Sequence, residues 1–86
     1  MEGGRGVNIE RFKVWMDQNP LRKFRIEEQV TYMELASILG VNTFTIQNWE
    51  RGGSMPTPEN MSKIAKVVGG TAIKDWARWL ANKPVL

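Results

Sequence analysis

The sequence predicts an all-α domain, and three observations carry that expectation. Capping residues paired with a proline or a well-placed acid open one segment after another: Asn19-Pro20, Thr31 with Glu34, and Thr57-Pro58. Glycine closes them, at Gly40 and at Gly69-Gly70. Between these marks apolar residues recur three and four places apart, the period of a helix face, and no stretch shows a clear strand pattern.

Taken in order, "MEGGRG" reads as a flexible start, and a short helix is expected over 8–19, where Ile9, Phe12 and Met16 share a face with Trp15 beside them. Asn19 then caps a helix that opens on Pro20, whose missing N–H costs nothing in the first turn. That helix carries Leu21 and Phe24 on one side. Thr31 and Glu34 fit a capping box, each side chain satisfying the other's orphan backbone donor, and Val30 with Leu35 fits a hydrophobic staple around it. "YMELASIL" should end at Gly40 in the left-handed conformation. Asn42 can cap a further helix, with Val41 and Ile46 as a second staple. Two capped helices joined at a glycine make a helix-turn-helix.

"VNTFTI" is rich in β-formers, so a strand is the local alternative there. The apolar positions favour the helix, since a strand would put Ile46 and Trp49 on opposite faces. After the loop "GGSMPTP", a helix from Pro58 carries Met61, Ile64, Ala65 and Val68 inward. Thr71 is expected to cap the last helix, whose Ala72, Ile73, Trp76, Trp79 and Leu80 form a wide apolar stripe. The boundaries expected are a flexible 1–7, one helical domain over 8–82 and a tail over 83–86.

Composition narrows the chemistry. At 86 residues the chain suits one compact domain without a deep substrate cavity. It has no cysteine and no histidine, which removes disulfides, thiol chemistry and the usual transition-metal ligand sets. No nucleophile–base pair stands out, so neither enzyme activity nor any cofactor or metal is expected. No run reaches the roughly 18 apolar residues of a membrane span. The start lacks a signal-peptide layout, so a cytoplasmic protein is expected.

The formal charge is +3, a mild preference for polyanionic partners. Residues 1–20 hold three basic and three acidic groups, residues 21–52 four and four, and residues 53–86 five and two. The excess therefore lies away from the helix-turn-helix. That helix-turn-helix is unusual in another way. At about 100° per residue, a helix over 43–51 with Ile46 and Trp49 inward turns Phe44, Asn48 and Arg51 outward, flanked by Thr43 and Gln47. An ordinary solvated face would be mostly Lys and Glu. Amides can donate to and accept from an adenine edge, and an aromatic or methyl group can meet the thymine methyl. Hydroxyls and free helix N-terminal N–H groups suit phosphate.

Residues 21–69 resemble the lambda-repressor and Cro type of helix-turn-helix domain, the XRE-like regulators. The resemblance rests on "TYMELASILGVNTFTIQNWERG", Pro56 and "MSKIAKVVG", with Leu35-Ala36, Leu39-Gly40-Val41, Thr45-Ile46 and Trp49-Glu50-x-Gly52 in the family's order and spacing. It implies a five-helix bundle whose third helix enters the major groove, with the helix at 8–19 additional to it. It further implies that Thr43, Phe44, Gln47 and Asn48 read bases and that Asn42, Arg51 and Tyr32 approach phosphate. Tyr32 stands where many members have Gln. Lys63 and Lys66 are weaker phosphate candidates. Arg25 and Glu50 align with a recurring Arg–Glu contact behind the reading helix.

The function expected is a sequence-specific double-stranded DNA-binding regulator, a repressor of phage, plasmid or bacterial origin. It would act as a homodimer, formed before or on a two-fold symmetric operator. The alternative is a protein-interaction module or antitoxin-like accessory protein on the same fold, favoured by the neutral balance of 21–52. Trp76, Trp79 and Leu80 are read as core or, since the stripe is wide, as a dimer contact, to which the tail residues Val85 and Leu86 would add surface. Glu27-Glu28 reads as a solvated face. Gly3, Gly4 and Gly6 make no phosphate loop, because no strand precedes them.

Overall fold

The computed structural model describes residues 3–85, with side chains from Ile9 onward. Among these residues there are six helices: α1 (Gly3–Asp17), α2 (Pro20–Glu27), α3 (Tyr32–Leu39), α4 (Thr43–Glu50), α5 (Pro58–Val68) and α6 (Ala72–Ala81). No strand forms among them, and "VNTFTI" is helical from Thr43. α1 starts before the Asn8 expected from the sequence. Gly3–Val7 contains no proline, and each residue added there supplies a carbonyl that accepts from an N–H four residues on, against the cost of three glycines.

The caps explain most of the remaining boundaries. Asn19 is fully buried, and its Oδ1 accepts from the backbone N–H of Leu21 and of Arg22, both at 2.9 Å. Its Nδ2 has no partner among the described residues, a desolvation cost on the order of 1–3 kcal/mol that the two cap bonds offset. Thr31 and Glu34 form the complete capping box. Gly40 ends α3 at φ 71°, a conformation that costs glycine little. Thr57 accepts from the Asn60 N–H at 3.2 Å, behind Pro58 in the first turn of α5.

Thr71 departs from its expected role. Its backbone sits at φ −91° and ψ 1°, and it makes no side-chain cap bond. An N-cap needs an extended backbone to aim its oxygen into the first turn. Here the Thr71 hydroxyl donates instead to Asp75 Oδ2 at 3.0 Å.

The core gathers Leu21, Leu35, Leu39, Ile46, Trp49, Met61, Ile64 and Trp76 from α2 to α6. The apolar stripe of α6 is narrower than its sequence suggests, because Ile73 is exposed and Leu80 half-buried. Among the described side chains of α1, Trp15 is buried, Phe12 and Met16 are half-buried and Ile9 is exposed. Trp15 stacks on Trp79 with ring centroids 4.0 Å apart and planes 2° from parallel. Each indole Nε1 donates to the other residue's backbone carbonyl at 2.6 Å, tying α1 to α6. Trp76 meets Trp79 edge-on at 5.8 Å.

Candidate nucleic-acid interface

α3 and α4 are held at their turn by local chemistry. Gly40 reverses the chain, and Asn42 caps α4. Asn42 Oδ1 accepts from the Thr45 N–H at 2.8 Å and from the Thr45 hydroxyl at 2.9 Å. The oxygen is thus occupied, while the Asn42 amide N–H groups have no partner among the described residues. The N–H groups of Thr43 and Phe44, which the Asn42 cap does not reach, are likewise left for an outside acceptor.

The inner face of α4 consists of Ile46 and Trp49, with Glu50 beside them at 3 % exposure. A carboxylate so deep needs compensation. Arg25 of α2 supplies it, donating from Nε to Oε2 at 2.9 Å and from Nη2 to Oε1 at 3.1 Å. Tyr32 OH donates to Oε1 at 3.4 Å, and Arg22 Nη1 lies 3.7 Å from the same oxygen. The Arg25 guanidinium also stacks over the Tyr32 ring at 3.9 Å. Its hydrogen bond to Glu50 raises the Arg25 pKa above the ordinary arginine value, outweighing the desolvation that lowers it. α2, α3 and α4 thereby share one buried charge cluster.

The outer face differs in every respect. Phe44 is 68 % exposed, Thr43 and Gln47 are half-buried, and Arg51 is exposed at the helix end. None of these four side chains makes a hydrogen bond or ion pair among the described residues. Asn48 shares their face but is engaged: its Nδ2 donates to Ser54 Oγ at 2.9 Å. A Cβ at Gly53 would collide with Asn48 Oδ1, so the loop after α4 folds closely over this amide.

Of the other expected contacts, Tyr32 lines the same cavity as Gln47 and Arg51, with its phenol turned to Glu50. Lys63 Nζ reaches the Leu39 carbonyl at 3.5 Å, at the C-terminal end of α3 where carbonyls lack helical partners. Lys66 is exposed in the last turn of α5. Two residues of this region carried no expectation from the sequence. Arg22 lies three residues from Arg25, so both fall on the side of α2 that meets Glu50. Ser54 reaches Asn48 across a loop that no periodic pattern describes.

The helix-turn-helix family model matches residues 21–74, more than half of the chain. No curated protein sequence and no solved structure matches it. The matched stretch contains α2 to α5 and the start of α6, in the order the motif requires. The chain therefore belongs to the helix-turn-helix family of XRE-like DNA-binding regulators.

Proposed function

We propose that the protein is a sequence-specific regulator of double-stranded DNA that reads the major groove with the outer face of α4. One observation carries this reading: an exposed aromatic ring and an unengaged amide share a face with almost no charge, on a helix whose opposite face is locked into the core. Gln47 is suited to the adenine edge and Phe44 to the thymine methyl. Thr43 stands at the N-terminal end of α4, the part of a recognition helix that meets base edges. Asn48 belongs to the same group but contributes fully only when it releases Ser54. Asn42 and the free N–H groups beside it, with Arg51, would grip phosphate. Tyr32 would join them by turning its phenol from Glu50.

A single reading helix covers few base pairs, so a two-fold symmetric operator bound by a homodimer follows, with half-sites about one helical turn apart. Exposed Ile73 of α6 and Val85 beyond it offer apolar surface for pairing; Leu86, expected to share this role, lies outside the described residues. Repression is the simplest outcome of occupying such a site. No described helix is long and apolar enough to cross a membrane, which is compatible with a cytoplasmic location.

The competing reading, an interaction module or antitoxin-like accessory, draws on exposed Met33 and Phe44, 75 % and 68 % accessible. Salt separates the two. DNA affinity falls by about 0.9 log units per log unit of salt for each phosphate contacted, whereas an apolar protein contact responds little. The direct test is selection of bound duplexes from a random pool: a shared, two-fold symmetric sequence supports the proposal, and an unenriched pool refutes it.

A further inference from the structure

α1 lies outside the stretch matched by the family model, yet its position is firmly set. Trp15 is clasped to Trp79 by the stacked rings and reciprocal bonds. The same Trp15 ring lies against Gly52, the residue just beyond α4 and its cap. Asp17 Oδ1 accepts from Arg22 Nε at 2.9 Å, joining the end of α1 to α2. α1 is thus anchored to α6, to α2 and to the exit of the reading helix.

That anchoring decides where one face of α1 points. Lys13, Met16 and Asp17, at i, i+3 and i+4, lie on one side of a helix. They border a cavity of about 640 Å³ whose other wall includes Tyr32 from the start of α3 and Gln47 and Arg51 from the end of α4. Its carboxylates are already matched: Asp17 by Arg22, and Glu50 by Arg25. Lys13 and Arg51 have no ion pair among the described residues, so the uncompensated charge at this cavity is positive. Gln47 belongs at once to the cavity and to the face assigned to the major groove.

We infer that α1 is a second DNA-gripping element, in which Lys13 together with Arg51 brackets a backbone phosphate flanking the bases that Gln47 meets. The inference rests on the DNA-reading role of α4 and extends it to a helix that the family model does not cover. The contact is sequence-independent, because an ammonium group on a phosphate carries no base information. It also supplies positive charge beside a helix-turn-helix segment whose own balance is neutral.

The test uses the full chain as wild type, Lys13→Ala, Lys13→Arg and Lys23→Ala. Lys23 removes the same charge but lines a different cavity, between α2 and α6. Affinity is measured across a salt series on a selected duplex and on a random-sequence duplex, with phosphate ethylation interference on the first. Lys13→Ala should flatten the salt slope by about 0.9 and weaken both duplexes by the same factor. It should also weaken the interference at one flanking phosphate, where Arg51 remains. Lys13→Arg should restore all three, and Lys23→Ala should leave the slope at the wild-type value. A wild-type slope and interference pattern in Lys13→Ala overturns the inference while leaving the α4 reading intact. Equal losses in Lys23→Ala overturn it as well, since the effect is then one of net charge. A wild-type chain that binds neither duplex overturns both.

Discussion

On the inner face of α4, Ile46 is fully buried, Trp49 is nearly so, and Glu50 is tied to Arg25 through two hydrogen bonds. On the outer face of the same helix, Thr43, Phe44, Gln47 and Arg51 have no side-chain partner among the described residues. The contrast separates two tasks within nine residues. The inner face fixes the helix with dispersion, burial and a desolvated ion pair, all of which are lost if geometry shifts. The outer face keeps its donors, acceptors and ring unspent for an external surface. Rigid support with unengaged tips is the arrangement that lets a small helix distinguish ligands differing by one hydrogen bond.

The strongest way to break this contrast is to attack the inner charge cluster. Glu50→Gln leaves Arg25 without its counter-charge, and an arginine cannot shed its proton to escape. One-sided removal of a buried pair costs about 3–5 kcal/mol when burial is complete. Since Arg25 is 13 % exposed, a loss near the lower end of that range is expected. At roughly 4–8 °C per kcal/mol for a domain of this size, thermal melting detects it readily. Base preference of the surviving folded fraction should not change. A variant that melts like wild type would show that the cluster is solvated.

Gly52→Ala comes next. Gly52 sits at φ 75°, and a Cβ there would lie 2.5 Å from Trp15 Cη2. The left-handed backbone alone costs a non-glycine residue about 1–3 kcal/mol, and displacement of the indole adds to that. We expect a clear drop in denaturation midpoint together with a shift in Trp fluorescence. An unchanged midpoint would mean that α1 does not seat against the end of α4.

Asn42→Ala removes the cap bond to Thr45 and should cost about 1 kcal/mol in urea unfolding, within a general range of roughly 0.5–2. Because the proposed function also assigns the same residue to phosphate, its effect on DNA affinity should exceed its effect on stability. Equal effects on the two would assign Asn42 to the cap alone.

The smallest stability effect belongs to the outer face. Phe44→Ala should alter unfolding by no more than about 0.5 kcal/mol while weakening preference for thymine over cytosine at one position per half-site. Asn48→Ala should shift preference less than Gln47→Ala, because its amide is already bonded to Ser54. If Asn48→Ala has the larger effect, the Ser54 contact is released on binding and Asn48 is the principal reader.

The legibility of these features follows how far their causes reach along the chain. The Thr31–Glu34 box, the Asn42 cap and the Gly40 reversal are set within three or four residues, and the sequence exposes them directly. Thr71 has a capping identity too, but the Ala72 N–H is bonded to the Gly69 carbonyl at 3.1 Å, and that turn holds Thr71 at ψ 1°, a geometry its identity does not report. Arg25 and Glu50 are 25 residues apart and were legible only through resemblance, since neither spacing nor composition links them. Trp15 and Trp79 are 64 residues apart, and nothing in either segment announces the other. The outer face of α4 was readable because periodicity places it once the core side is known. The Asn48–Ser54 contact was not, because loop geometry creates it.

The most direct test of the α4 reading compares wild type with Gln47→Ala on an operator series carrying single base-pair changes. Gln47 is half-buried and unengaged, so its truncation should leave the fold intact. A bidentate amide contact contributes about 1–3 kcal/mol of discrimination against the wrong base. Gln47→Ala should therefore flatten preference at one base pair in each half-site while the remaining positions keep their wild-type ranking. A uniform loss of affinity across the series, with the wild-type preference pattern preserved at every position, would contradict direct reading by this face.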